Sequence, residues 1–225
     1  MMGMNLLIPQ DHSGRLYGVT VGLVTNNKDP EKLGRVKVKF PWLSNEDESY
    51  WARVLTPMAG NDRGIYCLPE VNDEVLVAFE QGDLAFPYIL GALWNGKDKP
   101  PEENENGENN KRIIKSRSGH TILFDDTKDN EKIIIQDKTG KNKITIDSAN
   151  NTMEIKAEKD LTIETKGKIT LKSSENDVEI ECKNLSIKTE KNYQLETGAD
   201  CNIKAKAKCD IAAQSGLGIN CSAGV

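Results

Sequence analysis

From Lys141 onward, apolar residues fall in pairs two positions apart, and the pairs return about every eight residues. They are Ile144/Ile146, Met153/Ile155, Leu161/Ile163, Ile169/Leu171, Val178/Ile180, Leu185/Ile187, Tyr193/Leu195, Cys201/Ile203, Cys209/Ile211 and Leu217/Ile219. Successive pairs are 9, 8, 8, 9, 7, 8, 8, 8 and 8 residues apart. Two positions further on the residue is small or hydroxylated, as at Ala157, Thr165, Ser173, Thr189, Ala205 and Ala213. Side chains alternate along a strand, so positions 1, 3 and 5 of each unit share a face. Turn-like clusters such as Lys166-Gly167-Lys168 and Thr197-Gly198-Ala199-Asp200 separate the units. One such unit cannot bury its own apolar face and must stack on neighbours. Three successive units could form one coil of a single-chain solenoid, or three chains could each supply a face and wind about a common axis. The periodicity leaves both open. A solenoid of so few coils would be marginal and would expose its ends. The narrowing inward residues Cys201, Ala205, Cys209 and Ala213 suit a tapering shared core. The inward positions that would fill it are Ile155, Leu161, Ile163, Ile169, Leu171, Ile180, Leu185, Ile187, Leu195, Ile203 and Ile211.

The first half has a different rhythm. Arg35-Val36-Lys37-Val38-Lys39-Phe40 alternates, with Val36, Val38 and Phe40 on one face. Tyr17 to Thr25, Trp51 to Leu55, Ile65 to Leu68, Val75 to Phe79 and Pro87 to Trp94 read as further short strands, with Gly, Pro and Asn between them. Short strands at this spacing predict a small closed or nearly closed barrel. The stretch Pro100-Pro101-Glu102-Glu103-Asn104-Glu105-Asn106-Gly107 is polar and proline-led, so it reads as a linker or long loop.

Composition sharpens this picture. Aromatic residues make up 5% of the 225, and after Lys128 the only one is Tyr193. A thin aliphatic core fits that better than a globule does. The net charge of −5 excludes the basic stripe expected of a nucleic-acid binder. Between Lys141 and Val225 there are 13 Lys and 13 Asp plus Glu, which suits the neutral, charged exterior of a soluble rod. No apolar run is long enough to span a membrane as a helix. The short patch Asn5-Leu6-Leu7-Ile8 lacks a basic flank and does not read as a secretory signal. The five cysteines, Cys67, Cys182, Cys201, Cys209 and Cys221, form no CxxC, and their odd number argues against a disulfide framework.

Tyr17-Gly18-Val19, Gly22-Leu23-Val24 and the string Asp29-Pro30-Glu31-Lys32-Leu33-Gly34-Arg35-Val36-Lys37-Val38-Lys39-Phe40-Pro41-Trp42 carry a family resemblance. So do Trp51-Ala52-Arg53-Val54, Pro69 to Phe79, Gly82-Asp83 and Pro87 to Trp94. This half resembles the OB-fold of phage baseplate assembly protein V and of the VgrG spikes of type VI secretion. Ser116 to His120 with Phe124-Asp125-Asp126 looks like the neck leading into that family's β-helix. The resemblance implies an all-β chain: an N-terminal OB-fold barrel followed by an intertwined trimeric β-helix of octad repeats. The expected divisions are an arm at 1–15, the barrel at 16–97, an acidic linker at 98–112, neck strands at 113–140 and a triple-stranded needle at 141–225. It further implies the central spike of a contractile injection system or phage-tail-like baseplate, a homotrimer that pierces a membrane mechanically. The large hub domain of VgrG has no counterpart before the barrel, so a separate hub protein is expected at the barrel end. A PAAR-type cap protein is expected at the C-terminal tip. Such a chain would be made in the cytoplasm without a signal peptide and assembled into the baseplate particle. The rival reading is a monomeric β-solenoid that binds or acts on carbohydrate, but the outward repeat positions carry scattered Lys and Glu, with no clustered aromatics.

Candidate chemistry is sparse. His12 and His120 lie outside the repeat with no nucleophile motif beside them. Asp125 and Asp126 are adjacent on a strand and so point to opposite faces, which suits turn or edge roles better than a paired-carboxylate site. The inward cysteines read as small hydrophobes rather than metal ligands. No catalytic residue, cofactor, metal or nucleic-acid partner is therefore expected. Asp29 to Gly34 reads as a structural turn, Pro30 fixing φ and Gly34 free to take an unusual conformation. After Asp210 no side chain is charged. An uncharged end with open strand edges suits a cap that continues the pairing, and Leu217, Ile219, Cys221 and Val225 are the expected contacts.

Overall fold

A computed structural model describes residues 14–43 and 47–218. Among them are strands, turns and one 3-10 turn at Glu80–Gly82, with no α-helix. The chain divides into two units, one ending at Thr162 and one beginning at Ile163.

The first unit opens with β1 (Val19–Asn26), β2 (Lys37–Lys39), β3 (Arg53–Val54), β4 (Ala59–Gly60), β5 (Arg63–Gly64), β6 (Glu74–Phe79) and β7 (Pro87–Ala92). Five of these form one sheet in the order β2-β1-β6-β7-β3. Its pairings are antiparallel except β3 on β7, which is parallel. The two outer strands then meet. Val36, just before β2, exchanges backbone hydrogen bonds with Ala52, just before β3, at 3.0 and 2.7 Å. That bridge closes the sheet into a barrel and leaves no long open edge.

Alternation decides what lies inside. Val36, Val38 and Phe40 face inward with Val24, Ala52, Val75, Val77, Phe79 and Ile89, and all nine are buried. The Phe40 and Phe79 rings pack tilted at 5.7 Å. Gly22 sits where β1 passes between β2 and β6: a Cβ there would stand 3.3 Å from both Val38 Cβ and Val77 Cγ2. Ile65 to Leu68 does not form the expected strand. The carbonyl of Ile65 accepts from Thr56 Oγ1 at 2.6 Å and its N–H donates to Met58 at 3.1 Å, closing the β4–β5 hairpin. Pro69 follows, and without an N–H it cannot extend a ladder.

A second sheet follows in the same unit: β8 (Lys111–Lys115), β9 (Thr121–Asp125), β10 (Lys132–Gln136), β11 (Lys143–Asp147) and β12 (Thr152–Lys156). It is an antiparallel meander in chain order. Its turns are locally specified. Asp137 accepts from Thr139 Oγ1 at 2.8 Å and Asn142 Nδ2 at 2.9 Å, tying the β10–β11 connection across its own base. Asp147 accepts from the Asn150 N–H at 3.0 Å at the start of the next turn. Arg117, in the β8–β9 turn, pairs with Glu70 of the barrel.

The second unit has another character. Its described residues, 163–218, contain no strand and no bridge, and every one of them is exposed.

Candidate interaction surfaces

The Asp29 turn is built around one enclosed carboxylate. Pro30 starts the turn, and Lys32 and Gly34 adopt left-handed φ of 59° and 69°. That fold-back brings the N–H groups of Glu31 and Leu33 onto the Asp29 carboxylate at 3.1 and 3.0 Å. Arg35 completes the cage with a fork, its Nε and Nη2 each 2.8 Å from one carboxylate oxygen. The Asp29 side chain is only 4% exposed. The Arg35 fork, aided by the backbone donors, holds its carboxyl well below the usual range. Every oxygen is thus engaged within the turn, and the role is structural.

The other expected chemistry separates in the same way. Asp125 turns toward Thr127, accepting from its N–H at 3.0 Å, while Asp126 pairs with Arg112. They do not converge. His120 lies in the β8–β9 turn, exposed, with its N–H on Ser116 Oγ at 3.0 Å. His12 lies outside the described residues. Cys67, Cys182, Cys201 and Cys209 are free and exposed. Among the described residues no group of three His, Cys, Asp or Glu side chains is placed to hold a metal ion.

What the structure does assemble is an apolar sheet face. The pairing of β8 to β12 aligns Ile114, Ile122, Ile135, Ile144 and Ile155 as direct neighbours across all five strands. The row two residues away on the same face is Arg112, Phe124, Ile133, Ile146 and Met153. The opposite face carries Ile113, Leu123, Ile134 and Thr145, each half-buried, in its middle row and Lys111, Asp125, Lys132 and Asp147 in the row beside it, an alternation of sign. Within it Lys132 Nζ lies 3.3 Å from Asp147. The apolar face is uncovered: Ile114 is 67% exposed, Ile135 48%, Ile155 55% and Met153 66%. The isoleucine row floors an open hollow of about 800 Å³, completed by Cys67 and Leu161. Nothing in the sequence reading isolated this row, because strand register has to be known before it appears.

Of the expected core positions, Ile155 and Leu161 lie in the first unit. Ile163, Ile169, Leu171, Ile180, Leu185, Ile187, Leu195, Ile203 and Ile211 lie in the second, each between 52% and 77% exposed. Leu217 is 58% exposed, while Ile219, Cys221 and Val225 lie outside the described residues.

Comparison with known proteins places the barrel. Residues 20–94 match the type VI secretion system/phage-baseplate injector OB domain. The type VI secretion system spike protein VgrG1b of Pseudomonas aeruginosa is 31% identical over 138 residues, 59% of this chain and 18% of that protein. VgrG1a of the same organism is 35% identical over 105 residues, 43% of this chain and 16% of that protein. The actin cross-linking toxin VgrG1 of Vibrio cholerae is 37% identical over 75 residues, 32% of this chain and 7% of that protein. The chain thus spans less than a fifth of the length of each of these relatives. The closed barrel is an OB domain of the type VI secretion and phage-baseplate injector family, carried by a chain that resembles the VgrG-type spike proteins.

Proposed function

We propose that this chain is the spike of a contractile injection apparatus, working as a homotrimer whose octad repeats interwind into a needle. The carrying observation is the state of residues 163–218 in one chain. Their apolar residues recur with strand periodicity, yet none is buried and no backbone group is strand-paired. Unpaired backbone and a regular apolar stripe require partners. A single-chain solenoid would pair each octad with one about three units along, and residues 163–218 contain no such pairing. Three chains supply the missing faces to one another, so that no chain peels away without unwinding from the other two.

The barrel would sit on a separate hub protein, and the uncharged end would receive a PAAR-type cap through Leu217, Ile219, Cys221 and Val225. The role is mechanical: contraction drives the needle through the target membrane, and the chain itself makes and breaks no covalent bond. The toxin relative is matched over 7% of its length, and actin cross-linking is not carried over to this chain. Electron microscopy of the purified chain tests the reading. The expected particle is a threefold-symmetric head with a thin projecting needle; a monomeric particle with the octads coiled on themselves would overturn it.

A further inference from the structure

We propose that the outer face of the barrel's central strands, β1, β6 and β7, is the docking site of the chain's own N-terminal segment Leu6-Leu7-Ile8. The proposal stands on the barrel alone and does not depend on how many copies assemble.

The alternation that turns Val24, Val75, Val77, Phe79 and Ile89 into the core turns their neighbours outward. Strand register then brings those neighbours together. Val21 of β1 lies opposite Leu76 of β6, Val19 lies opposite Ala78, and Ala78 lies opposite Tyr88 of β7. Phe86, next to the buried Pro87, alternates to the same side. The patch is apolar across three adjacent strands, and Val19 is 58% and Phe86 57% exposed. The charged groups beside it are already engaged. Glu80 accepts from the Tyr88 hydroxyl, and the Arg53 guanidinium lies 5.5 Å over the Tyr88 ring. An antiparallel sheet that wets one face normally puts polar side chains there. A contiguous apolar patch in their place marks a contact.

The path of the chain names the occupant. The described residues begin at Gly14. Arg15 bridges Asp83, and the Leu16 N–H donates to the Gly82 carbonyl at 2.8 Å. The Phe86 N–H donates to the Asp83 carbonyl at 3.0 Å, so the chain enters the barrel beside the turn that carries Phe86. Residues 1–13 contain one run of branched aliphatic side chains, Leu6-Leu7-Ile8, followed by Pro9. A residue before proline favours extended backbone, and in an extended run Leu6 and Ile8 share a side. Reach suffices: the stretch from Ile8 to Gly14 spans up to about 20 Å, and three strands measure about 10 Å across. So short a tether sets an effective concentration on the order of millimolar, which favours this segment over a free partner of similar chemistry.

Photo-cross-linking of the full chain tests this, with benzoylphenylalanine in place of Leu7. The expected product runs at one chain's mass on a denaturing gel and joins that position to peptides holding Val19 to Val21, Leu76 to Ala78 or Phe86 to Tyr88. A product at two chains' mass would give the patch to the segment of another copy and overturn the proposal. So would irradiation that joins the position to none of these peptides. A second readout is maleimide labelling of Val19→Cys, followed at that site by peptide mass spectrometry. Adding Leu6→Asp/Ile8→Asp is expected to speed that labelling at least five-fold. Equal rates with and without the added pair would overturn the proposal.

Discussion

Asp29 shows how much of the barrel's order is fixed by single side chains. A carboxylate this enclosed stays charged only because Arg35 and the turn N–H groups replace water. Asp29→Ala should lower the barrel's thermal midpoint by several degrees. Arg35→Lys should cost nearly as much, because an ammonium cannot reproduce the fork. The same chemistry sets the acid limit. Asp137 is held down to about 2 from an ordinary 3.8 by Asn142 and Thr139, and Asp29, Asp125 and Asp147 are also lowered. A folded-state pKa below the unfolded value stabilises the native form above the unfolded value, and the gain is lost as pH falls toward the folded one. The thermal midpoint should therefore be flat from pH 7 to about 5 and fall below about 4. A midpoint that rose on acidification would contradict these contacts. Inside the barrel, Ile89 is fully buried, and Ile89→Ala should cost about 2–5 kcal/mol by denaturant titration.

At the level of strands, each sheet solves its edge problem differently. The barrel closes through Val36 and Ala52, whereas the meander ends in β12 with all five residues exposed. Among the described residues the octads beyond it have no strand partner in the chain. If three chains supply one, backbone amides of 163–218 should exchange slowly, on the scale of the barrel core; exchange within seconds would contradict interwinding. The barrel was legible in the sequence because alternation at Val36, Val38 and Phe40 matches the burial it produces, and Gly34 takes the left-handed turn its motif implies. The octad stripe is plain in the sequence as a pattern, and residues 157–218 carry no strand assignment. The isoleucine row was not legible, since it depends on which strand lies beside which. Ile144/Ile146 and Met153/Ile155 carry the same i, i+2 signature as the later octads, yet in the structure they pair within the chain through turns at Asp137 to Asn142 and Asp147 to Asn150. Periodicity reports that a strand exists and which face is apolar; it does not report its partner. Ile65 to Leu68 misled for a related reason: the run is apolar, but the backbone groups of Ile65 are taken by a local hairpin and Pro69 follows.

For the molecule as a whole, a barrel of the injector family is followed by a segment whose described residues carry no strand pairing. Deleting Leu217 to Val225 should abolish capture of a PAAR-type cap protein in a pull-down while leaving the number of copies unchanged; undiminished capture would place the cap elsewhere. Three copies sharing one core have a defined mass. Light scattering after size exclusion of the full chain should give a particle of about 75 kDa, three copies of a 24.9 kDa chain, persisting on dilution and into moderate denaturant. A particle that stays at one chain's mass at every concentration would contradict it and return the octads to a single-chain coil.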